Sequence, residues 1–218
     1  MAEAGILLLA FVVGAIPFSN LVATRTRGVD LRTTGTGTVS GTALYRVAGF
    51  RWLVVSGILD VAKGTVGPLL AGSGRPTLAA IAGGVAVSGH NWSPFLRGHG
   101  GRGVGPAVGA LLVNAWPGVV VLLGCMVVAR AFRQTGLGGF IGEVLLAPVL
   151  AVTNGPVGAL AGGAVGIPML VKRVIGNERP ADRGWRVYAH RLLYDHDPAA
   201  PVTDPVTRES GEPGPTGS

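Results

Sequence analysis

Charge is scarce in this chain: 13% of its 218 residues are Asp, Glu, Lys or Arg, where soluble domains carry about 25%. That deficit argues against a water-soluble domain, and the 37 glycines exceed the usual share of roughly 7%. Both are expected of a chain that folds in a bilayer. Cysteine is nearly absent too. The single Cys125 excludes an intrachain disulfide and any thiolate metal site built from this chain, so packing within its apolar run is the expected role. A basic region ahead of the first apolar stretch is also missing, because residues 1–24 hold one charge, Glu3. That stretch is longer than the core of a signal peptide, and a transmembrane helix is expected instead. No fixed-period repeat of the solenoid kind is present.

What is present is basic. The formal net charge is +7 and the sequence pI about 10.7, a balance that can mark nucleic-acid binders. Here the arginines sit in short loops between apolar segments, as in membrane proteins oriented by cytoplasmic positive charge, and no nucleic-acid partner is expected. About 20 apolar residues cross the hydrocarbon core, which predicts spans over 4–24, 52–71 and 76–96. Asn114-Ala115-Trp116-Pro117 divides the next stretch into 103–113 and 116–132, halves that reach only about 16–24 Å and can be partly re-entrant. Thr153-Asn154-Gly155-Pro156 predicts a turn between spans 137–153 and 156–172.

The expectation is therefore an all-α polytopic membrane protein of about seven short helices, with the N-terminus outside and the C-terminus cytoplasmic. Regions 25–51, 97–102, 130–136 and the tail from 172 would then be cytoplasmic, and they hold 5, 2, 2 and 7 of the 18 Lys and Arg residues. Lys63 lies in a span, and only Arg75 falls outside. Residues 1–178 form the membrane domain in this reading. Residues 179–218 are a polar tail, disordered from about 198 because Pro, Gly, Ser and Thr dominate it.

Arg97-Gly98-His99-Gly100-Gly101-Arg102-Gly103 has the makings of an anion nest. Glycines let backbone N–H groups converge on an oxyanion, a helix N-terminus follows, and Arg102 can grip phosphate with two parallel hydrogen bonds. The same residues also fit a flexible basic turn. In the loop from Gly28 to Gly49, Gly35-Thr36-Gly37-Thr38 stands between Arg32 and Arg46, a set able to hold a second phosphate or a developing oxyanion or simply to turn the chain. Asp60 and Lys63 fall on one helix face, as a structural ion pair or a catalytic one. Glu143, one turn from a helix end, can snorkel and is given no role. His90 could bond an anion or move a proton, or be a packed histidine. His90 and His99 lack the spacing and the nearby carboxylates of a metal site.

In order along the chain, these stretches resemble the acyl-phosphate:glycerol-3-phosphate acyltransferases of bacteria, small seven-span enzymes of the PlsY type. Gly14-Ala15-Ile16-Pro17-Phe18 is similar to the family's GSIPF opening, and Gly35-Thr36-Gly37-Thr38 through Arg46 resembles its GSGN-x-GATN-x-x-R loop. Leu59-Asp60-Val61-Ala62-Lys63-Gly64 resembles its LDxxKG helix. Gly89-His90 through Pro94-Phe95-Leu96, followed by Gly100-Gly101-Arg102-Gly103, resembles GH-x-FPxFL and GGKG. Arg173 and Gly176-Asn177-Glu178 resemble the closing R…GTE, so the resemblance covers roughly residues 14–178. Thr36 stands where the family has Ser, Thr38 and Ala43 where it has Asn, and Arg102 where it has Lys. Gly136 and Gly139 replace two serines, and Ile167 and Leu170 replace a His and an Asn.

The resemblance implies transfer of a fatty acyl group from acyl phosphate to the 1-hydroxyl of glycerol 3-phosphate, by a monomer in the bacterial inner membrane with its active face cytoplasmic. It implies no metal or cofactor, and an acyl chain lying among helices in a groove open to lipid. Thr36, Arg46 and Arg102 would be catalytic. Arg97, Gly100, Gly101, Gly103, Arg133 and Arg173 would bind phosphate, with Asp60, Lys63, His90 and Glu178 in support. Two other readings stand beside it: a family member that has lost catalysis and binds lipid or a partner, and a small anion transporter.

Overall fold

Proline and glycine decide where the helices stop. The computed structural model describes residues 2–35, 37–178, 180 and 184–195, and the regular structure among them is all helical. The first span, expected to run unbroken over 4–24, is two helices, α1 (Glu3–Gly14) and α2 (Phe18–Arg27). Pro17 divides them because it has no N–H and its ring collides with the preceding turn. After α2, Gly28 takes a left-handed conformation with φ 67°, a geometry glycine adopts without strain.

The segment 28–49, expected as a loop, is partly helical. It holds a 3-10 turn (Leu31–Thr33) and α3 (Gly41–Ala48), whose first turn is capped by the Ser40 hydroxyl accepting from the Ala43 N–H. α4 (Phe50–Ala71) follows the expected second span. α5 (Pro76–Asn91) starts on a proline suited to a first turn and stops short of the expected residue 96, where a 3-10 turn (Pro94–Leu96) replaces it. α6 (Val104–Asn114) and α7 (Pro117–Ala131) divide at Trp116-Pro117 as the sequence predicts. They are about 16 and 22 Å long.

α8 (Thr135–Ile175) is two helical arms that meet in a reversal at Gly155, where φ 68° and ψ −159° are not helical. Its arms, 135–154 and 156–175, run back along each other, so that Gly158 meets Leu150, Gly162 meets Leu146 and Ala147, and Gly166 meets Glu143. α9 (Trp185–Tyr194) is a helix where a polar tail is expected, and it packs on α8. The disorder expected from about residue 198 lies outside the described residues.

α5 is the axis of the bundle, packed against α1, α4, α6 and α8. The glycines explain how the helices come so close. Gly14 rests on the Ala86 backbone, Gly84 on Ala164, Gly64 on Pro106 and Gly109 on Val61, each leaving no room for a Cβ. Small residues at helix contacts are how apolar helices gain packing when lipid offers no hydrophobic drive. Outside this core the bundle is apolar: Val127, Val128 and Val152 are more than 60% exposed, as are Leu8, Ile58 and Trp116. Residues 3–27 across the Pro17 break, α4 and α8 are long and apolar enough to cross a membrane.

Candidate active site at one end of the bundle

The Pro17 break leaves two carbonyls without helical partners, and both find donors from the middle of the chain. Ser93 Oγ donates to Ala15 O at 2.6 Å and Lys63 Nζ donates to Ile16 O at 2.7 Å. Lys63 also meets Asp60 Oδ1 at 2.7 Å and His90 Nδ1 at 2.9 Å. An ammonium has three protons and no acceptor, so His90 Nδ1 accepts and its Nε2 carries the ring hydrogen, an assignment made from the network. Nε2 lies where a Cβ on Gly101 would be. His90 thus turns a donor toward the glycine-rich loop.

That loop is fixed. Gly98 N–H donates to Ser93 O at 2.8 Å, Gly101 N–H to His90 O at 3.3 Å, and Val39 N–H to Gly100 O at 3.2 Å. Asn177 closes on it from the other side: its Oδ1 accepts from Gly100 N–H at 3.1 Å, and its Nδ2 donates to Gly100 O at 3.0 Å and Gly37 O at 3.3 Å. The expected nest is therefore corrected, because the amides of Gly100 and Gly101 are engaged by the protein itself. Gly103 takes φ 79° where α6 begins.

Arg102 stands over this loop with Nη1 donating to Lys172 O at 2.8 Å and Nε 2.7 Å from Asp195 Oδ1, the residue after α9. Burial pulls the Arg102 guanidinium below its ordinary value, Asp195 opposes that, and neighbouring Arg173 and Arg191 add to it. Lys172 is 1% exposed, with Nζ over the Trp92 ring at 5.6 Å. Its neighbour Arg173, expected on phosphate, is committed elsewhere: Nε donates to both Glu143 oxygens, at 3.0 and 2.8 Å, and Nη1 to Gly136 O at 3.0 Å. Gly139 leaves the space that Arg173 Nη2 fills. Glu143, given no role from sequence, is the buried partner of this arginine, because a carboxylate 3% exposed cannot snorkel.

The other expected residues divide in two. Asp60, Lys63, His90, Gly100, Gly101, Arg102, Gly103 and Arg173 come to this end of the bundle, with Glu178 Oε1 beside Gly37. Arg46, Arg97 and Arg133 are exposed and make no side-chain hydrogen bond or ion pair with the described residues. Thr36 lies outside the described residues. Ile167, at a position where the family has histidine, is 62% exposed. Sequence reasoning passed over Asn177, Lys172 and Asp195. Asn177 fell within a matched motif, but nothing local shows that its amide bridges loops 140 and 77 residues away.

A family model described as glycerol-3-phosphate acyltransferase matches residues 4–177. The chain belongs to that family. It is 36% identical over 138 residues to glycerol-3-phosphate acyltransferase 5 of Dehalococcoides mccartyi, covering 62% of this chain and 59% of that one. It is 34% identical over 173 residues to the glycerol-3-phosphate acyltransferase of Solidesulfovibrio magneticus, covering 76% and 86%. Among solved structures, it is similar to PlsY (YgiH), an integral membrane glycerol 3-phosphate acyltransferase in its glycerol 3-phosphate form. The TM-score is 0.74 at 22% identity, over 90% of this chain and 94% of that one. That likeness establishes the shared helical membrane fold. The family model ends before α9, so the Asp195 contact to Arg102 comes from sequence beyond the matched region.

Proposed function

We propose that this member of the glycerol-3-phosphate acyltransferase family moves a fatty acyl group from acyl phosphate to the 1-hydroxyl of glycerol 3-phosphate. The observation that carries the reading is the meeting of Arg102, Lys172, Lys63 and the Gly100–Gly103 loop at one end of an otherwise apolar bundle. Cations and an apolar surface together suit substrates that join phosphate to a hydrocarbon chain. The hydroxyl oxygen attacks the acyl carbonyl carbon, the bond from that carbon to the phosphate oxygen breaks, and the departing phosphate takes the hydroxyl proton. Lysophosphatidic acid and inorganic phosphate result. A mixed anhydride needs no strong protein base, so positioning and charge neutralisation carry the rate.

The acyl chain fits the apolar groove of about 600 Å³ between α7 and the first arm of α8, lined by Val121, Cys125, Val128, Leu137, Ile141 and Leu145. Counting the α1–α2 pair once and the arms of α8 separately gives seven passes, which agrees with the lopsided arginines. The active end then faces the cytoplasm, in the bacterial inner membrane, and the protein acts as a monomer. The test is phosphate release from palmitoyl phosphate by purified protein in detergent or lipid mesophase, with and without glycerol 3-phosphate. Acceptor-dependent release, lowered about 100-fold or more by Arg102→Ala, is the expected result. No release above the blank from a folded sample overturns the reading.

A further inference from the structure

Among the described residues, the buried cations other than Lys172 are each held by a carboxylate or by backbone carbonyls. Lys63 has Asp60, Arg102 has Asp195 and Arg173 has Glu143. Arg191 is held by the carbonyls of Ile175 and Glu178, at 3.1 Å each. Lys172 is buried as deeply as any of them, yet no carboxylate among the described residues lies within ion-pair distance and its Nζ makes no hydrogen bond with them. Among the described residues its Nζ lies over the Trp92 ring, 5.6 Å from the centroid. An aromatic face offsets part of the desolvation of an ammonium, but an uncompensated buried charge remains unfavourable.

A buried ammonium with no carboxylate beside it among the described residues favours an anionic ligand. The Lys172 carbonyl receives Arg102 Nη1, and the second arm of α8 is tied to the end of α5, where Asn91 Nδ2 donates to Pro168 O at 2.9 Å. Lys172 is therefore fixed beside the glycine-rich loop, near both His90 and Arg102. Arg102 itself has two of its donors occupied by Lys172 O and Asp195, whereas the ammonium of Lys172 offers three. A four-carbon stem also lets that head group move toward a ligand more readily than a braced guanidinium.

We infer that Lys172 is the cation that receives the phosphate of glycerol 3-phosphate, with Arg102 bracing the loop beside it. The inference rests on the acyltransferase reading for the identity of the ligand. The phosphate neutralises the buried Lys172 ammonium, so binding should stabilise the folded protein by linkage.

Lys172→Met separates this role from a structural one. Removing an unpaired buried charge should leave the ligand-free protein at least as heat-stable as the parent, while abolishing the rise in Tm that glycerol 3-phosphate or inorganic phosphate gives the parent. In the transfer assay KM for glycerol 3-phosphate should rise at least tenfold, as for a lost charge-assisted hydrogen bond, with KM for palmitoyl phosphate within about twofold. Lys172→Arg should keep much of the phosphate response, and Lys172→Gln supplies the same readings should the methionine variant not fold. An unchanged KM and unchanged Tm response overturn the inference while leaving the enzyme reading intact, and a rise in KM for palmitoyl phosphate alone overturns the assignment to the acceptor. If the parent transfers no acyl group, the enzyme reading fails separately. A parent Tm response to phosphate that Lys172→Met removes still supports the anion site, and no parent response overturns it.

Discussion

Glu143 and Arg173 show what a charge inside an apolar bundle requires. Each is nearly inaccessible, and the guanidinium also reaches Gly136 O, so the pair is balanced only while both members are present. Glu143→Leu should lower stability by about 3–5 kcal/mol by leaving Arg173 unpaired, and adding Arg173→Met should recover much of the loss. Thermal unfolding in one detergent checks both, and a double variant no more stable than the single would show that the arginine's carbonyl bond matters more than its charge. This pairing was not legible in sequence, because the residues are 30 apart and meet only through the reversal at Gly155. Asp60 and Lys63 were legible for the opposite reason: a spacing of three puts them on one helix face before any tertiary structure exists. Lys172 was hidden by its place among topogenic cations, where one buried lysine looks like any other.

At the scale of the helix, glycines do two different jobs and substitution tells them apart. On α4, Gly64 lies on the Pro106 backbone, whereas Gly57 has open space around it. Gly64→Ala should force α4 from α6 and lower stability by about 1–3 kcal/mol. Gly57→Ala should be neutral or raise stability by up to about 1 kcal/mol through helix propensity. Equal effects on Tm would argue that α4 and α6 pack less closely than described. The helix breaks at Trp116-Pro117 and Gly155-Pro156 were readable because each joins a strong local breaker to a polar or interfacial residue. Pro17 sits in an equally strong position, yet the hydropathy of 4–24 masks it. A span defined by apolar length does not register where backbone hydrogen bonding stops, and α9 was missed because its docking on α8 is tertiary.

Across the whole molecule, apolar length and arginine placement were enough to predict an all-helical membrane fold, while the site was legible mainly as an ordered set of motifs. Orientation is open to direct measurement. In a chain with Cys125 replaced by Ala, Ser73→Cys should react with a membrane-impermeant maleimide added outside spheroplasts, and Arg133→Cys should react only after lysis. The reverse pattern would turn the protein over and move Arg102 to the wrong face for cytoplasmic substrates. Another consequence concerns synthesis on the ribosome. The carbonyls freed at Pro17 directly follow the first helix made, their partners Lys63 and Ser93 emerge later, and Asn177, which joins the glycine loop to Gly37, emerges almost last. At about 5–20 residues per second, a nascent chain waits many seconds with its first and middle helices placed and its two loops still unjoined. A ribosome that stalls before Lys172 leaves an inserted bundle with no working end, so partial products of this gene should occupy membrane without contributing lipid synthesis.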